Sequence, residues 1–404
     1  MLAKLAWRNI WRNKRRSIVI LTSVVIGVIA SVFMDSLSAG MIYQMLDNSI
    51  NMGVGHIQIH RVGFRENKTI QNFIPDYKQV EEQLKKDPSV KSYSKRVVAF
   101  GLLSSATNSS GIYINGIVPS MEENVTSIKK SIVEGRYLSG AFHEIIISKL
   151  LAEKLNVGIG DKVVAMSNTP KGDIGSDLFR IVGIFESVSS EFDKANIFIP
   201  MDNAQQMLGI GDKVYEFAIM INNFENVDTV TKRLAGELPK ADEVLSYKEI
   251  LPMLVYQMDL YKQTSFITNL IIGLALIFGI VNTMLMAVFE RIREFGVLMS
   301  IGMKNSKLFM MIILEALALG LIGTIGGLII SAAVELPLIH SGINFSFFAE
   351  SLKSFGVGAI IYPQLSLEYT LITLFMIPAI AIIGAIYPAI KAIRLEPVSA
   401  VRYV

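Results

Sequence analysis

Few residues in this 404-residue chain are of types that carry out covalent or metal chemistry. It contains no cysteine, which excludes a thiolate nucleophile, a disulfide framework and a thiolate metal site. Its four histidines, His56, His60, His143 and His340, are scattered. His56 and His60 are four apart, but VGHIQIH alternates like a strand, so the pair reads as a solvated strand face and not as metal ligands. GIGDK occurs twice, at 158–162 and 209–213, without the Gly-Lys-Ser/Thr ending of a phosphate-cradling loop. Both copies read as turns. No G-x-S-x-G nucleophile turn is present, and no carboxylate pair has a pocket-forming context. The chain is therefore expected to have no catalytic residues and no metal site, and not to hydrolyse ATP itself.

A different kind of chemistry, charge at the end of a helix, is concentrated at 290–303, ERIREFGVLMSIGM. Glu290, Arg291, Arg293 and Glu294 open the stretch. Ile292, Phe295, Met299 and Met303 then recur at the spacing of one helical face. Gly302 is a natural stop, and Asn305 or Ser306 is expected to cap the next helix. The residues support two readings: a connector whose charges anchor the ends of two membrane spans, or a docking element for another protein. In the second, Arg291 and Arg293 would meet acidic residues of the partner, and the carboxylates would suit the N-terminus of the short helix.

The elements that must position this stretch are apolar runs. Hydrophobic residues make up 51% of the chain and charged ones 18%, too apolar for an ordinary soluble protein. Segments 17–34, 266–289, 308–334 and 369–390 are each long enough to cross ~30 Å of hydrocarbon as a helix. A cleaved signal peptide is the rival for the first, but its apolar run is long and three more spans follow. Residues 1–16 combine Lys4, Arg8, Arg12, Lys14, Arg15 and Arg16 with Trp7 and Trp11, as a cytoplasmic or interfacial helix does. With four spans, this cluster, Arg291, Arg293, Lys304, Lys307, Lys391, Arg394 and Arg402 all fall on one side, the cytoplasmic one. Net charge is only +3, so nucleic acid is not an expected partner.

The expected fold class is an α-helical membrane protein with four transmembrane helices plus an α+β extracytoplasmic (periplasmic) domain inserted between helices 1 and 2. The expected division is an N-terminal helix at 1–16, helix 1 at 17–34, the periplasmic domain with helical stalks at 35–265 and helix 2 at 266–289. A cytoplasmic helix and loop at 290–307, helix 3 at 308–334, a periplasmic loop at 335–368, helix 4 at 369–390 and a cytoplasmic tail at 391–404 complete it. Within helix 3, Gly320, Gly323, Gly326 and Gly327 allow close helix approach. Glu315 is an ionisable residue inside the same span, expected to serve packing or to snorkel more than to carry protons or substrate.

One span, a large outer domain and then three spans, together with ERIREFGVLMSIGM and the C-terminal YPAIKAIRLEPVSAVRY, resembles the permease subunits of the MacB, LolC/LolE and FtsX superfamily of type VII ABC transporters. IVEGRYLSG, EIIISKLLAEKLNVGIGDKV, FRIVGIFES and IFIPMDNAQQMLG in the outer segment add to the likeness, which is nearest to the lipoprotein-releasing permeases. The resemblance implies a pair of permeases, homodimeric or heterodimeric, over two cytoplasmic ATPase subunits that use ATP and Mg. It implies that Glu290, Arg291, Arg293, Glu294, Phe295, Met299 and Gly302 belong to an ATPase-docking coupling helix. Motion would pass through the second span and two stalks to the outer domain. Only 16 residues precede the first span, so the ATPase is expected as a separate chain. Lipoprotein release from a bacterial inner membrane, with a periplasmic carrier or adaptor, is the expected function. Efflux of a drug, peptide or other amphiphile is the alternative, as is FtsX-like control of a cell-wall hydrolase. A membrane-anchored adhesin is the rival outside the family.

Overall fold

The computed structural model describes residues 2–12, 14–65 and 71–394. The end of the tail, with Arg402, lies outside them. In chain order come α1 (Leu2–Arg12), α2 (Lys14–Ser49), β1 (Ile57–Arg61), α3 (Tyr77–Lys86), β2 (Val90–Ser104), β3 (Ser109–Ile117), α4 (Pro119–Glu122), β4 (Ile132–Gly135) and β5 (Glu144–Ser148). Then follow α5 (Lys149–Leu155), β6 (Lys162–Asn168), β7 (Ile174–Phe185), α6 (Ser190–Ala195), β8 (Asn196–Pro200), α7 (Met201–Leu208), β9 (Glu216–Ile221), α8 (Val227–Glu237), β10 (Asp242–Ser246) and α9 (Tyr247–Ile250). The chain returns through α10 (Pro252–Glu290), α11 (Ile292–Ser300), α12 (Asn305–Ser341), β11 (Ile343–Asn344), α13 (Ala349–Ser354), β12 (Ile360–Ile361) and α14 (Leu367–Ile393). Two compact units result, one of residues 1–42, 257–344 and 360–404, the other of 43–256 and 345–359.

Four helices in the described residues, α2, α10, α12 and α14, are long and apolar enough to cross a membrane. Each is longer than its apolar core, because nothing in the flanking sequence stops it. α12 runs through Pro337, since a proline near a helix end removes only one internal hydrogen bond, and it stops at Gly342. The 335–368 loop is thus helical at its start. Asn305 and Ser306 are not the cap: Lys304 takes that position in extended conformation, with no side-chain hydrogen bond.

Small residues set the helix contacts. A Cβ on Gly320 would lie 2.8 Å from Cβ of Ala381 in α14, and one on Gly323 or Gly327 would lie 2.7 Å from Val24 or Val28 in α2. Gly326 differs: its Cβ would sit 3.8 Å from Val25, an ordinary contact, so close approach does not require a glycine there. Polar groups between α2 and α10 satisfy one another. Asn269 donates to Asp35 over 2.9 Å, and Ser265 donates to the same carboxylate.

Among the described residues, the second unit carries a ten-stranded sheet. β2, β3, β8, β5, β7 and β6 pair in turn, and β6 pairs back with β2, so these strands close on themselves. Closure removes their open edges. Ile112, Ile114, Leu103, Phe179 and Ile197, all at or near zero exposure, belong to the core this circuit surrounds. β2 is long enough to serve twice: its first half pairs with β9, extending the sheet through β1 to β10. Both GIGDK segments are turns. Asp161 accepts from the Gly158 N–H at 2.8 Å, and Gly209 ends α7 in the left-handed region at φ 63°.

His60 departs from the solvated face expected of it. β1 is an interior strand flanked by β9 and β10, and His60 is 1% exposed. Its Nε2 lies 2.9 Å from Gln58 Oε1. Nδ1 of His56 instead accepts from the Ile221 N–H at 3.1 Å. Burial holds the His56 ring below the usual histidine range, opposed by the charge of Asp47.

Candidate functional site: the helix between spans two and three

α11 is separated from α10 by one residue, Arg291, and from α12 by Ile301–Lys304. Gly302 takes φ +93°, which a side chain resists, and the chain turns there. The C-terminal end of the short helix is therefore fixed by its sequence. Ile292 and Phe295 are buried, and Phe295 belongs to the same apolar core as Val288 of α10 and Leu308, Met311 and Ile312 of α12. Met299 and Met303 are partly buried against that core. This is the apolar face that the spacing predicts.

The charged residues divide. Glu290, Arg293 and Glu294 are exposed. Arg291 is not, and this corrects the expectation that it faces a partner: its side chain is 7% exposed and that of Glu315 is 3% exposed. Arg291 Nη1 donates to Glu315 Oε2 over 3.3 Å, and its Nε donates to Glu294 Oε2 over 3.1 Å. The guanidinium also lies 5.1 Å from the Phe295 ring centroid. A carboxylate inside α12 needs such a partner, because an isolated charge there is costly. The same pair ties α11 to the third span.

A further contact comes from the N-terminus. Arg12 at the end of α1 donates to Glu294, an acidic residue in the first turn of α11. Desolvation alone would raise the Glu294 carboxyl. Hydrogen bonds from Arg12 and Arg291 outweigh it and hold the group below the usual carboxylate range. α1 is itself anchored: Ile10 is fully buried among the membrane helices, and Ser17 donates back to its carbonyl over 2.6 Å. Trp7 and Trp11 stay exposed, edge to face at 6.1 Å.

What remains outward on α11 and its turn is Arg293, Val297, Ser300 and Ile301, the last 80% exposed. Residues 293, 297, 300 and 301 share one helical face. An apolar strip next to an exposed arginine suits a protein partner better than water. Sequence reasoning missed Arg12 and Glu315 as partners, because pairs separated by 282 and 24 positions leave no local signal. Val297 and Ile301 were legible as the apolar residues off the predicted inner face.

Comparison with known families decides the class. The profile of the MacB-like periplasmic core domain matches residues 17–237, more than half of the chain, and that of the FtsX-like permease C-terminal matches 266–397. The chain belongs to the MacB/FtsX-type ABC transporter permeases. This permease is 24% identical, over 72% of each chain, to the lipoprotein-releasing system transmembrane protein LolC of Xylella fastidiosa. It is also 24% identical to the pyoverdine export ATP-binding/permease protein PvdT of Pseudomonas syringae, over 98% of this chain and 58% of that one. The periplasmic region of MacB from Actinobacillus actinomycetemcomitans superposes on 52% of this permease and 97% of that chain, with TM-score 0.36 and 16% identity. The four spans and the domain inserted after the first accord with this family. Such a membrane subunit works with a cytoplasmic ATPase.

Proposed function

We propose that this permease couples ATP hydrolysis by a separate ATPase chain to motion of its inserted domain, with α11 as the docking element. The observation that carries this is the two-sided character of α11. Its inner face is locked to the third span by Phe295 and the Arg291–Glu315 pair, while Arg293, Val297, Ser300 and Ile301 remain outward. A helix held this way transmits a push to the spans instead of absorbing it. ATP and Mg would be used by the partner, and two permease copies or paralogues would sit over two ATPases in a bacterial inner membrane.

The cargo reading is an amphiphile handled at the outer leaflet, a lipoprotein first, supported by likeness to proteins named LolC. Export of a small amphiphile is the second reading, supported by likeness to PvdT across nearly all of this chain.

The test pairs Arg293→Glu with Ile301→Asp. Both residues are exposed, so the chain is expected to fold. We expect the doubly substituted permease to lose copurification of its ATPase and to lose permease-dependent stimulation of ATP hydrolysis by tenfold or more, roughly the loss from a disrupted hot spot. Unchanged copurification would sink the docking assignment. Liposomes loaded with an acylated lipoprotein then separate the cargoes. ATP-dependent release to a soluble acceptor supports lipoprotein release, and its absence with ATPase coupling intact favours export.

A further inference from the structure

We propose that Arg96 and Arg65 form a paired clamp inside the inserted domain, each arginine fastening the root of one long helix to the sheet. The proposal builds on the transmission reading above, but its test needs neither ATPase nor cargo.

The first root is the end of α2. Past Ser49 the helix loosens into a single π turn, Ile50–Val54. A helix end leaves its last carbonyls without internal partners. Here four of the five carbonyls of the turn find one. Ile50 O accepts from Gly55 N at 2.9 Å, and Asn51 O from Ser127 N at 2.7 Å. Val54 O accepts from Gln58 Nε2 at 2.9 Å, and Gly53 O accepts from Arg96 Nη1. Arg96 thus places a positive charge at the negative end of a long helix.

Arg96 is itself held. It is 5% exposed and donates to both oxygens of Glu122, over 3.0 and 2.7 Å, and to Glu216 over 2.7 Å. Glu243, His60, Glu216 and Arg96 stand opposite one another across β10, β1, β9 and β2, as one charged row over the sheet. His60 Nε2 lies 3.6 Å from Glu216 and Nδ1 3.9 Å from Glu243. The same Nε2 meets Gln58, so the second donor to the root is tied to this row as well.

The second root is the approach to α10. Ser246 and Glu249 form a reciprocal cap at the start of α9. Arg65 donates to the carbonyls of Glu249 and Ile250, the latter over 2.8 Å, just before Pro252 opens α10. Gly53, Val54, Arg65, Arg96 and Ile250 all line one cavity of about 380 Å³. Close-packed interiors resist displacement. A void beside both fastenings lets the roots tilt while the arginines keep them attached.

The lack of cysteine makes the test direct. Asp47→Cys and Met253→Cys place spin labels on two exposed positions, one near each root. The distance distribution is measured on the full chain in lipid nanodiscs. We expect Arg65→Ala, which removes an exposed side chain, and Arg96→Lys, which keeps the charge but loses the fork, each to widen the distribution about twofold as the roots fray. Arg233→Ala is the control, breaking an ion pair to Asp87 beyond α3. It is expected to leave the width unchanged. An unchanged width in Arg65→Ala, or equal widening in Arg233→Ala, overturns the clamp.

Discussion

Arg291 illustrates how a residue's role follows from where its charge can be satisfied. It stands in a loop-like position between two helices, yet Glu315 of the third span draws it inward. Replacing Arg291 by Met removes an ion-pair partner of the buried Glu315, a loss of up to about 3–5 kcal/mol. We expect a large drop in the unfolding midpoint of the purified permease, and substantial recovery when Glu315→Gln is added. No recovery in the double variant would show that the two do not act as a pair. Arg291 substitutions therefore cannot by themselves separate docking from folding.

Arg12 and Glu294 form a weaker, half-exposed pair, in the class worth under about 1 kcal/mol. The Glu294 carboxyl is depressed in the folded state. Its contribution is therefore present above the unfolded-state value of about 4.3 and is lost as pH falls through the lower folded value. Arg12→Ala should lower the thermal midpoint slightly at pH 7. That difference should disappear in strongly acidic buffer. A difference that persists at low pH would point to packing of α1 instead.

At the level of elements, the glycines of α12 show what spacing can and cannot tell. Four small residues on one helix signal close approach, and three of them meet a neighbouring helix at 2.8 Å or less when given a Cβ. Gly326 does not: a Cβ there would meet Val25 only at 3.8 Å. Gly323→Val should destabilise by about 1–3 kcal/mol through overpacking against Val24. Gly326→Ala should be neutral or stabilise by up to about 1 kcal/mol, since alanine favours a helix interior. Thermal unfolding of the two variants side by side checks this. Equal effects would mean that the contacts are not as close as described.

For the whole molecule, the two compact units each carry a core of their own. Unfolding should therefore show more than one transition. Phe179→Ala, in the core of the inserted domain, should lower one transition by about 3–5 kcal/mol, and Gly323→Val should lower the other. The same transitions should differ in pH response. Burial pushes the Asp242 carboxyl up to about 6, against an opposing effect of Arg61. Its folded value is raised, so the contribution of Asp242 to the inserted domain grows as pH falls through about 6 toward the unfolded-state value near 3.9. Asp242→Asn should remove that contribution from one transition only. A single transition that responds to both core variants would refute independent cores.

Sequence alone determined the parts of this protein that rest on local or compositional physics. Apolar runs long enough for hydrocarbon require membrane helices, alternation in the middle segment requires a sheet, and the spacing of Ile292, Phe295 and Met299 requires one apolar face on α11. The motif ensemble carried the family. Tertiary structure decided what depends on pairs distant in sequence: the inward turn of Arg291 toward Glu315, the hold of Arg12 on Glu294, the burial of His60 between two strands, and the closure of β6 on β2. A charge, a histidine or a strand edge has no preferred environment until the rest of the chain supplies one. Burial and pairing are properties of the assembled fold, and periodicity along the chain does not encode them.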